Sequence, residues 1–174
     1  NAPDTAGCEP LCVNFMDAST IATGANATWV WNFGDGSPSG TLPDIMHCYT
    51  NNSVFLPIYL TVTLTVTSDS GCVTTRSKNN YITVYPNPIA SFSVQPDTAS
   101  IIEPIISITD LSTGTNFWNW NFGDNDTTSK QNPAPHTYSD TGTYVITLLT
   151  STLYNCFDTA YQNIYIEPDF LFYV

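Results

Sequence analysis

The sequence predicts an all-β chain of two tandem antiparallel β-sandwiches, and three observations carry that expectation. One block of residues recurs at a fixed spacing, short alternating apolar segments fill the intervals, and turn residues rather than helical periodicity separate them.

The recurrence sets the domain organisation. Trp29-Val-Trp-Asn-Phe-Gly-Asp35 returns as Trp118-Asn-Trp-Asn-Phe-Gly-Asp124, an offset of 89, and His47 and Tyr49 return at the same offset as His136 and Tyr138. Upstream, Pro3-Asp-Thr-Ala6 and Val13-Asn-Phe-Met-Asp17 match Pro96-Asp-Thr-Ala99 and Ile106-Ser-Ile-Thr-Asp110 at 93. Downstream, Leu60 to Cys72 matches Tyr144 to Cys156 at 84, and Ile82 to Pro86 matches Ile164 to Pro168 at 82. Every change of length is therefore expected between strands. The units are residues 1–86 and 87–168, with 169–174 a lead-in to a following C-terminal domain.

Each matched segment reads as a strand. Leu60, Val62, Leu64 and Val66 alternate with Thr61, Thr63 and Thr65, the period a half-buried strand requires. Short strands broken by Gly, Asp, Asn and Pro indicate a sandwich rather than a parallel α/β sheet. The second unit opens with Ile89-Ala-Ser-Phe-Ser-Val94, whose counterpart would precede residue 1. The first sandwich is thus expected to lack its N-terminal strand, as part of a longer chain. Prolines in the Tyr85-Pro-Asn-Pro88 junction predict a semi-rigid link.

Composition excludes several partners. The formal net charge is -12, with 3 basic residues (Arg76, Lys78 and Lys130) against 15 acids, so nucleic acid finds no cationic stripe. No apolar run approaches the roughly 20 residues that span a bilayer, and the charge disfavours anionic lipid, so no membrane insertion is expected. Thr, Ser and Asn supply most of the polar surface.

At the Trp-x-Trp-x-Phe-Gly-Asp-Gly block, the following Pro-x-His-x-Tyr and the Tyr-x-Val-x-Leu-Thr-Val strand, the chain resembles the polycystic-kidney-disease (PKD) family of immunoglobulin-like sandwiches. The first copy has Gly36 but Leu60 for the strand-opening Tyr; the second has Asn125 for that Gly but keeps Tyr144. Gly7-Cys-Glu-Pro-Leu11 and Gly71-Cys72 resemble PKD repeats of Bacteroidota surface proteins, including large adhesins and gliding-associated proteins. The resemblance implies export by type IX secretion and localisation at the cell surface, associated with the outer membrane. The tail Pro168-Asp-Phe-Leu-Phe-Tyr-Val174 resembles the approach to a sorting domain, and it also suits a terminal strand borrowed by a neighbour.

The motif residues are expected to be structural. Trp29, Trp31 and Phe33 share a strand face, as do Trp118, Trp120 and Phe122; core packing is preferred over a carbohydrate-stacking platform, and Phe117 on the opposite face is the better surface candidate. His47 and His136 fall in different domains without metal-ligand spacing, and packing against Tyr49 and Tyr138 is expected. Gly34 with Asp35, and Gly123 with Asp124, read as tight turns whose carboxylates accept backbone amides. Asp124, Asn125 and Asp126 form a weaker candidate for calcium, one short loop offering fewer than the six to eight oxygens required. No catalytic residue and no cofactor are assigned.

Five cysteines leave the pairing open by number alone. Cys12 and Cys48 are jointly replaced by Ile105 and Thr137 in the second copy, so a Cys12–Cys48 disulfide is expected; Cys8 is then assigned to Cys72, leaving Cys156 a free thiol. Asp-Thr-Ala or Asp-Thr-Thr at Thr5, Thr98, Thr127 and Thr159 resembles the O-glycosylation acceptor motif of Bacteroidota.

The functional expectation is a non-catalytic spacer in the stalk of a secreted surface adhesin, partnered by neighbouring domains of its own chain and by secretion or surface-anchoring machinery. The alternatives are a carbohydrate- or protein-binding module and accessory domains of a secreted hydrolase. An aromatic outer face would favour binding, whereas dispersed Thr and Asn at every outward position would favour a spacer; the composition points to the latter.

Overall fold

A computed structural model of the chain describes residues 4–20 and 24–169, and every regular element among them is a strand. The chain divides into two compact units, Asn1–Pro86 and Asn87–Val174. Residues 170–174 of the expected C-terminal lead-in lie outside the described residues.

The first unit holds β1 (Ala6–Cys8), β2 (Leu11–Phe15), β3 (Asn26–Asn32), β4 (Ile45–Tyr49), β5 (Ile58–Ser68) and β6 (Val73–Tyr85). They form one sheet in the order β1-β6-β5-β3 and a second of β2-β4. The second unit holds β7 (Phe92–Gln95), β8 (Thr98–Ser100), β9 (Ile105–Asp110), β10 (Phe117–Asn121), β11 (Thr127–Thr128), β12 (His136–Thr137), β13 (Gly142–Ser151) and β14 (Phe157–Glu167). Its sheets run β11-β10-β13-β14-β8 and β12-β9-β7. In each unit a short strand joins the last long strand in parallel, β1 on β6 and β8 on β14, while the other pairings are antiparallel.

Strand parity explains the cores. In β2, Leu11, Val13 and Phe15 point inward and Cys12 and Asn14 outward. They meet Trp31, Phe33, Tyr49, Val62, Ile82 and Val84. The second core places Ile106, Ile108, Trp120, Phe122, Tyr138 and Ile146 in the same roles. One buried indole removes about 200 Å² of apolar surface from water, stabilising the sandwich by about 5 kcal/mol before the entropy of ordering is charged.

Two features differ between the units. The second has a three-stranded β12-β9-β7 sheet where the first has only β2-β4, and β7 has no counterpart among the described residues. The expectation that every length change falls between strands is corrected: β6 has 13 residues and β14 has 11. The register of β5 on β6 shifts between Leu60 and Val62, with Asn80 at φ 49°. The surplus thus sits inside the strand as a bulge, where a left-handed Asn is tolerated.

Candidate functional site

The most concentrated polar chemistry in each unit surrounds the repeated histidine. The turn after β3 brings Asp35 beside His47 of β4, with Nε2 2.7 Å from Asp35 Oδ2; in the second unit His136 Nε2 lies 2.6 Å from Asp124 Oδ2. A carboxylate only accepts, so Nε2 carries the proton and donates it. Each imidazole also lies flat on a core phenylalanine: His47 on Phe33 at 3.9 Å between ring centres and 3°, His136 on Phe122 at 4.1 Å and 7°. Tyr49 and Tyr138 approach the other way, edge-on at 4.7 Å.

The carboxylates are otherwise occupied by their own turns. Asp35 Oδ1 accepts the Ser37 amide at 3.0 Å and the Ser37 hydroxyl at 2.6 Å; Asp124 Oδ1 accepts the Asp126 amide at 3.1 Å. Burial pushes the Asp35 carboxyl upward, but the hydrogen bonds of Ser37 and His47 and the attraction of His47 outweigh it and hold the group below the ordinary aspartate range. The Asp35, Ser37 and His47 side chains do not make a nucleophile with its base. The Ser37 proton is directed to the carboxylate and the proton-bearing Nε2 faces the same carboxylate, so the imidazole, 3.4 Å from Ser37 Oγ, is not a base for that hydroxyl. In the second copy Asp126 replaces Ser37.

The glycines of the motif explain why this block recurs. Gly34 and Gly123 have φ of 83° and 89°, and a Cβ on Gly123 would stand 2.9 Å from the Val145 backbone; on Gly34 it would meet the Thr61 carbonyl. The next turn position tolerates exchange, since Gly36 at φ 80° has nothing nearby and Asn125 adopts the same φ. Asn is the residue that best shares this region with Gly.

A second repeated pair was not singled out from the sequence. Trp29 Nε1 donates to Asp17 at 2.7 Å, and Trp118 Nε1 to Asp110 at 2.9 Å. Its signal was available, because Asp17 and Asp110 close matching segments. Trp31 and Trp120 instead donate to the backbone carbonyls of Leu42 and Lys130 at 3.0 and 2.9 Å.

Asp124, Asp126 and His136 are the one trio of metal-ligand type among the described residues, their donor atoms within 4.8 Å of one another. Asn125 is exposed and contributes the left-handed turn. Two carboxylates and an imidazole fall short of the oxygen count calcium takes, and both Asp124 oxygens already accept hydrogen bonds.

Of the cysteine assignments, the Cys12–Cys48 disulfide is present, and the pairing of Cys8 with Cys72 and the free Cys156 are corrected. Cys12 and Cys48 face each other across β2 and β4 and are bonded, with Cα atoms 3.9 Å apart. Cys72 is an exposed free thiol, whereas Cys8 and Cys156 are both in disulfide form. Cys8 pairs in register with Tyr85 at one end of β6, and Cys72 precedes Val73 at the other. A strand of 13 residues at about 3.3 Å each separates them far beyond the 7 Å that a disulfide tolerates between Cα atoms. Cys156, expected to be free, is buried and bonded. The acceptor-like threonines scatter: Thr98 and Thr127 are exposed, Thr5 and Thr159 half-buried.

The outer faces also depart from the expectation of Thr and Asn throughout. On the second unit Phe117, Val145, Leu149, Phe157 and Tyr161 are exposed, from 38% to 68%, on one face of β10, β13 and β14. The matching positions of the first unit are Thr28, Thr61, Thr65, Val73 and Ser77.

Comparison with known proteins bears on this arrangement. A family model described as PKD domain matches residues 1–84 and again 86–166. The PKD1 domain of Vibrio anguillarum Epp is similar at 20% identity and a TM-score of 0.41, covering 48% of this chain and 96% of that domain. The PKD1 domain from the Vibrio cholerae metalloprotease PrtV is similar at 22% identity and a TM-score of 0.40, covering 47% and 98%. Murine CEACAM1b is similar at 13% identity and a TM-score of 0.37, over 95% of this chain and 96% of its own. Comparison with the curated proteins gives no match.

Proposed function

Because the chain belongs to the PKD domain family and is a non-catalytic extracellular module, we propose that its two sandwiches serve as a spacer in the stalk of a secreted cell-surface adhesin of the gliding-associated kind, exported by type IX secretion. The observation that carries this reading is that both copies spend the histidine, carboxylate and aromatic groups of the motif on one another, leaving none aimed at a substrate. Its partners are neighbouring domains of the same chain and the machinery that exports or anchors it at the outer membrane, and O-glycans at Thr98 or Thr127 are part of the same proposal.

Peptide mapping of the native parent protein recovered from the cell surface tests it. Further repeats of this type and a sorting domain in the same polypeptide support the stalk; a hydrolase domain there replaces it with an accessory role. A second reading, a binding module, is favoured by the aromatic outer face of the second unit alone. Replacing Tyr161 and Phe157 by serine and measuring adhesion of the parent protein to glycan-coated and protein-coated surfaces separates the two: a spacer keeps its adhesion, and a binding face loses it.

A further inference from the structure

Strand register gathers the exposed apolar residues of the second unit into one patch. Phe117 of β10 and Phe157 of β14 both stand opposite Ser151 of β13. Leu149 is opposite Asn119 and Thr159, which sets it diagonal to Phe117, Phe157 and Tyr161; Val145, opposite Asn163, is diagonal to Tyr161 and Tyr165. All six side chains are exposed. Diagonal neighbours in a sheet lie about 7–8 Å apart, within reach of aromatic and long side chains, so the patch is continuous across three strands.

The same face carries no charge. Between the six lie Asn119, Thr147, Ser151, Thr159 and Asn163, none of which ionises. Acids begin only at its ends, with Asp126 ahead of β11 and Glu167 closing β14. In the first unit the equivalent face spends its side chains on itself, Thr63 bonding Ser77 and Thr65 bonding Thr75. The second unit has four rings there, each about half exposed, around two aliphatic side chains. Together they offer roughly 500–600 Å² of apolar surface, the upper end of what a monomer leaves open.

Charge and area both point to the occupant. Two copies of a chain with a formal net charge of -12 repel wherever their acids meet, and an uncharged face lets them approach without that opposition. Buried on a second copy, the patch would remove roughly 1,000–1,200 Å² from water in total, the size at which a specific interface begins. Leu149 and Val145 offer a sugar neither a ring face nor a hydrogen bond, and they hold the middle of the patch, as aliphatic side chains do at the core of protein contacts.

We propose that this face pairs two copies of the chain in an isologous dimer, sheet against sheet, with the two-fold axis near Leu149 and the rings of each copy packed on Leu149 and Val145 of the other. The contact adds a lateral partner to the spacer reading and does not depend on it.

The test is sedimentation equilibrium of the full chain carrying Cys72→Ser, which removes the exposed thiol as a route to cross-linking. A reversible dimer is expected, with a dissociation constant of about 10 µM, since the area is small for its class. Raising the salt from about 50 mM to about 500 mM screens the surrounding acids and should tighten the dimer several-fold. Tyr161→Asp should weaken it at least tenfold by setting an unpaired carboxylate in both halves of the contact, and Ser77→Asp, the same charge on the same face of the first unit, should leave it unchanged. Phe157→Ser with Tyr161→Ser removes rings without adding charge and should also weaken it at least tenfold, with far-UV circular dichroism unchanged. The proposal is overturned by a monomer at about 200 µM, twentyfold above that constant. It is equally overturned by a dimer indifferent to the ring substitutions, by one lost to Ser77→Asp as well, or by one that salt weakens. A chain that dimerises only after deletion of residues 170–174 would overturn it too, by giving the face to that segment.

Discussion

On the outer face of the first unit, β5 and β6 carry paired hydroxyls: Thr63 bonds Ser77 at 2.8 Å and Thr65 bonds Thr75 at 3.0 Å. On the same face of the second unit, Leu149 and Tyr161 stand exposed where Thr65 and Ser77 would be. The edges differ in the opposite sense. Among the described residues of the first unit β2 pairs with β4 alone, whereas in the second unit β7 lies along the equivalent edge of β9, seating Phe92 on Trp120. Two copies of one motif thus share a core but not a surface. A sandwich constrains the volume between its sheets closely and its solvent faces hardly at all.

The largest effect that sharpens this comparison is expected from the glycines of the motif, where the units should behave alike. Gly123→Ala should destabilise the second unit by about 2–4 kcal/mol, because it forces a side chain into a left-handed turn against the β13 backbone. Gly34→Ala should do the same in the first, and a denaturant titration resolving both transitions checks the pair. A shift in only one would break the equivalence of the turns.

Next is the Cys12–Cys48 cross-link, whose positions in the second unit are Ile105 and Thr137. Replacing Cys12 and Cys48 together by alanine should lower its stability by about 3 kcal/mol, the loop spanning 36 residues, and leave the second unit's transition in place. Scanning calorimetry under non-reducing conditions reads both.

Tyrosine to phenylalanine gives a smaller and more discriminating contrast. Tyr138 donates its hydroxyl to the Phe122 carbonyl at 2.9 Å, whereas the buried Tyr49 hydroxyl has no partner among the described residues. Burial, with the nearby charge of Asp35 or Asp124, drives both phenols well above the ordinary tyrosine range, so each stays neutral. Tyr138→Phe should cost about 1 kcal/mol, and Tyr49→Phe should be neutral or stabilising, since it removes an unsatisfied buried group.

The smallest effect is in acid. The Asp35 carboxyl is lowered in the folded state, so its contribution to stability is fully present above the unfolded aspartate value, near 3.8, and is lost as pH falls through the folded value. Asp35→Asn should therefore flatten the acid limb of the first unit's stability profile below about pH 4. Melting temperature against pH checks this, and an unchanged limb would place the acid sensitivity elsewhere.

How much of this was legible varies by residue. The inward positions of Trp31, Phe33, Trp120 and Phe122 follow from period-2 alternation, which needs no partner to be read. The outward aromatics Phe157 and Tyr161 obey the same parity, but a composition averaged over both units conceals that one face is apolar and the other is not. Asp17 and Asp110 lay inside recognised repeats, and only the fold turns the tryptophan nitrogens onto them. The length of β6 defeated the assignment of Cys8 to Cys72, because elimination among five residues takes no account of strand geometry.

The amino-acid sequence by itself determined the two-unit organisation, the all-β class and the residues of each core, because these rest on local alternation and on a repeat that survives without coordinates. The tertiary structure decided which histidine meets which carboxylate across a 12-residue separation, which cysteines bond, and which strands pair. Each of those is a distance between segments remote in sequence, and strand register alone sets such distances.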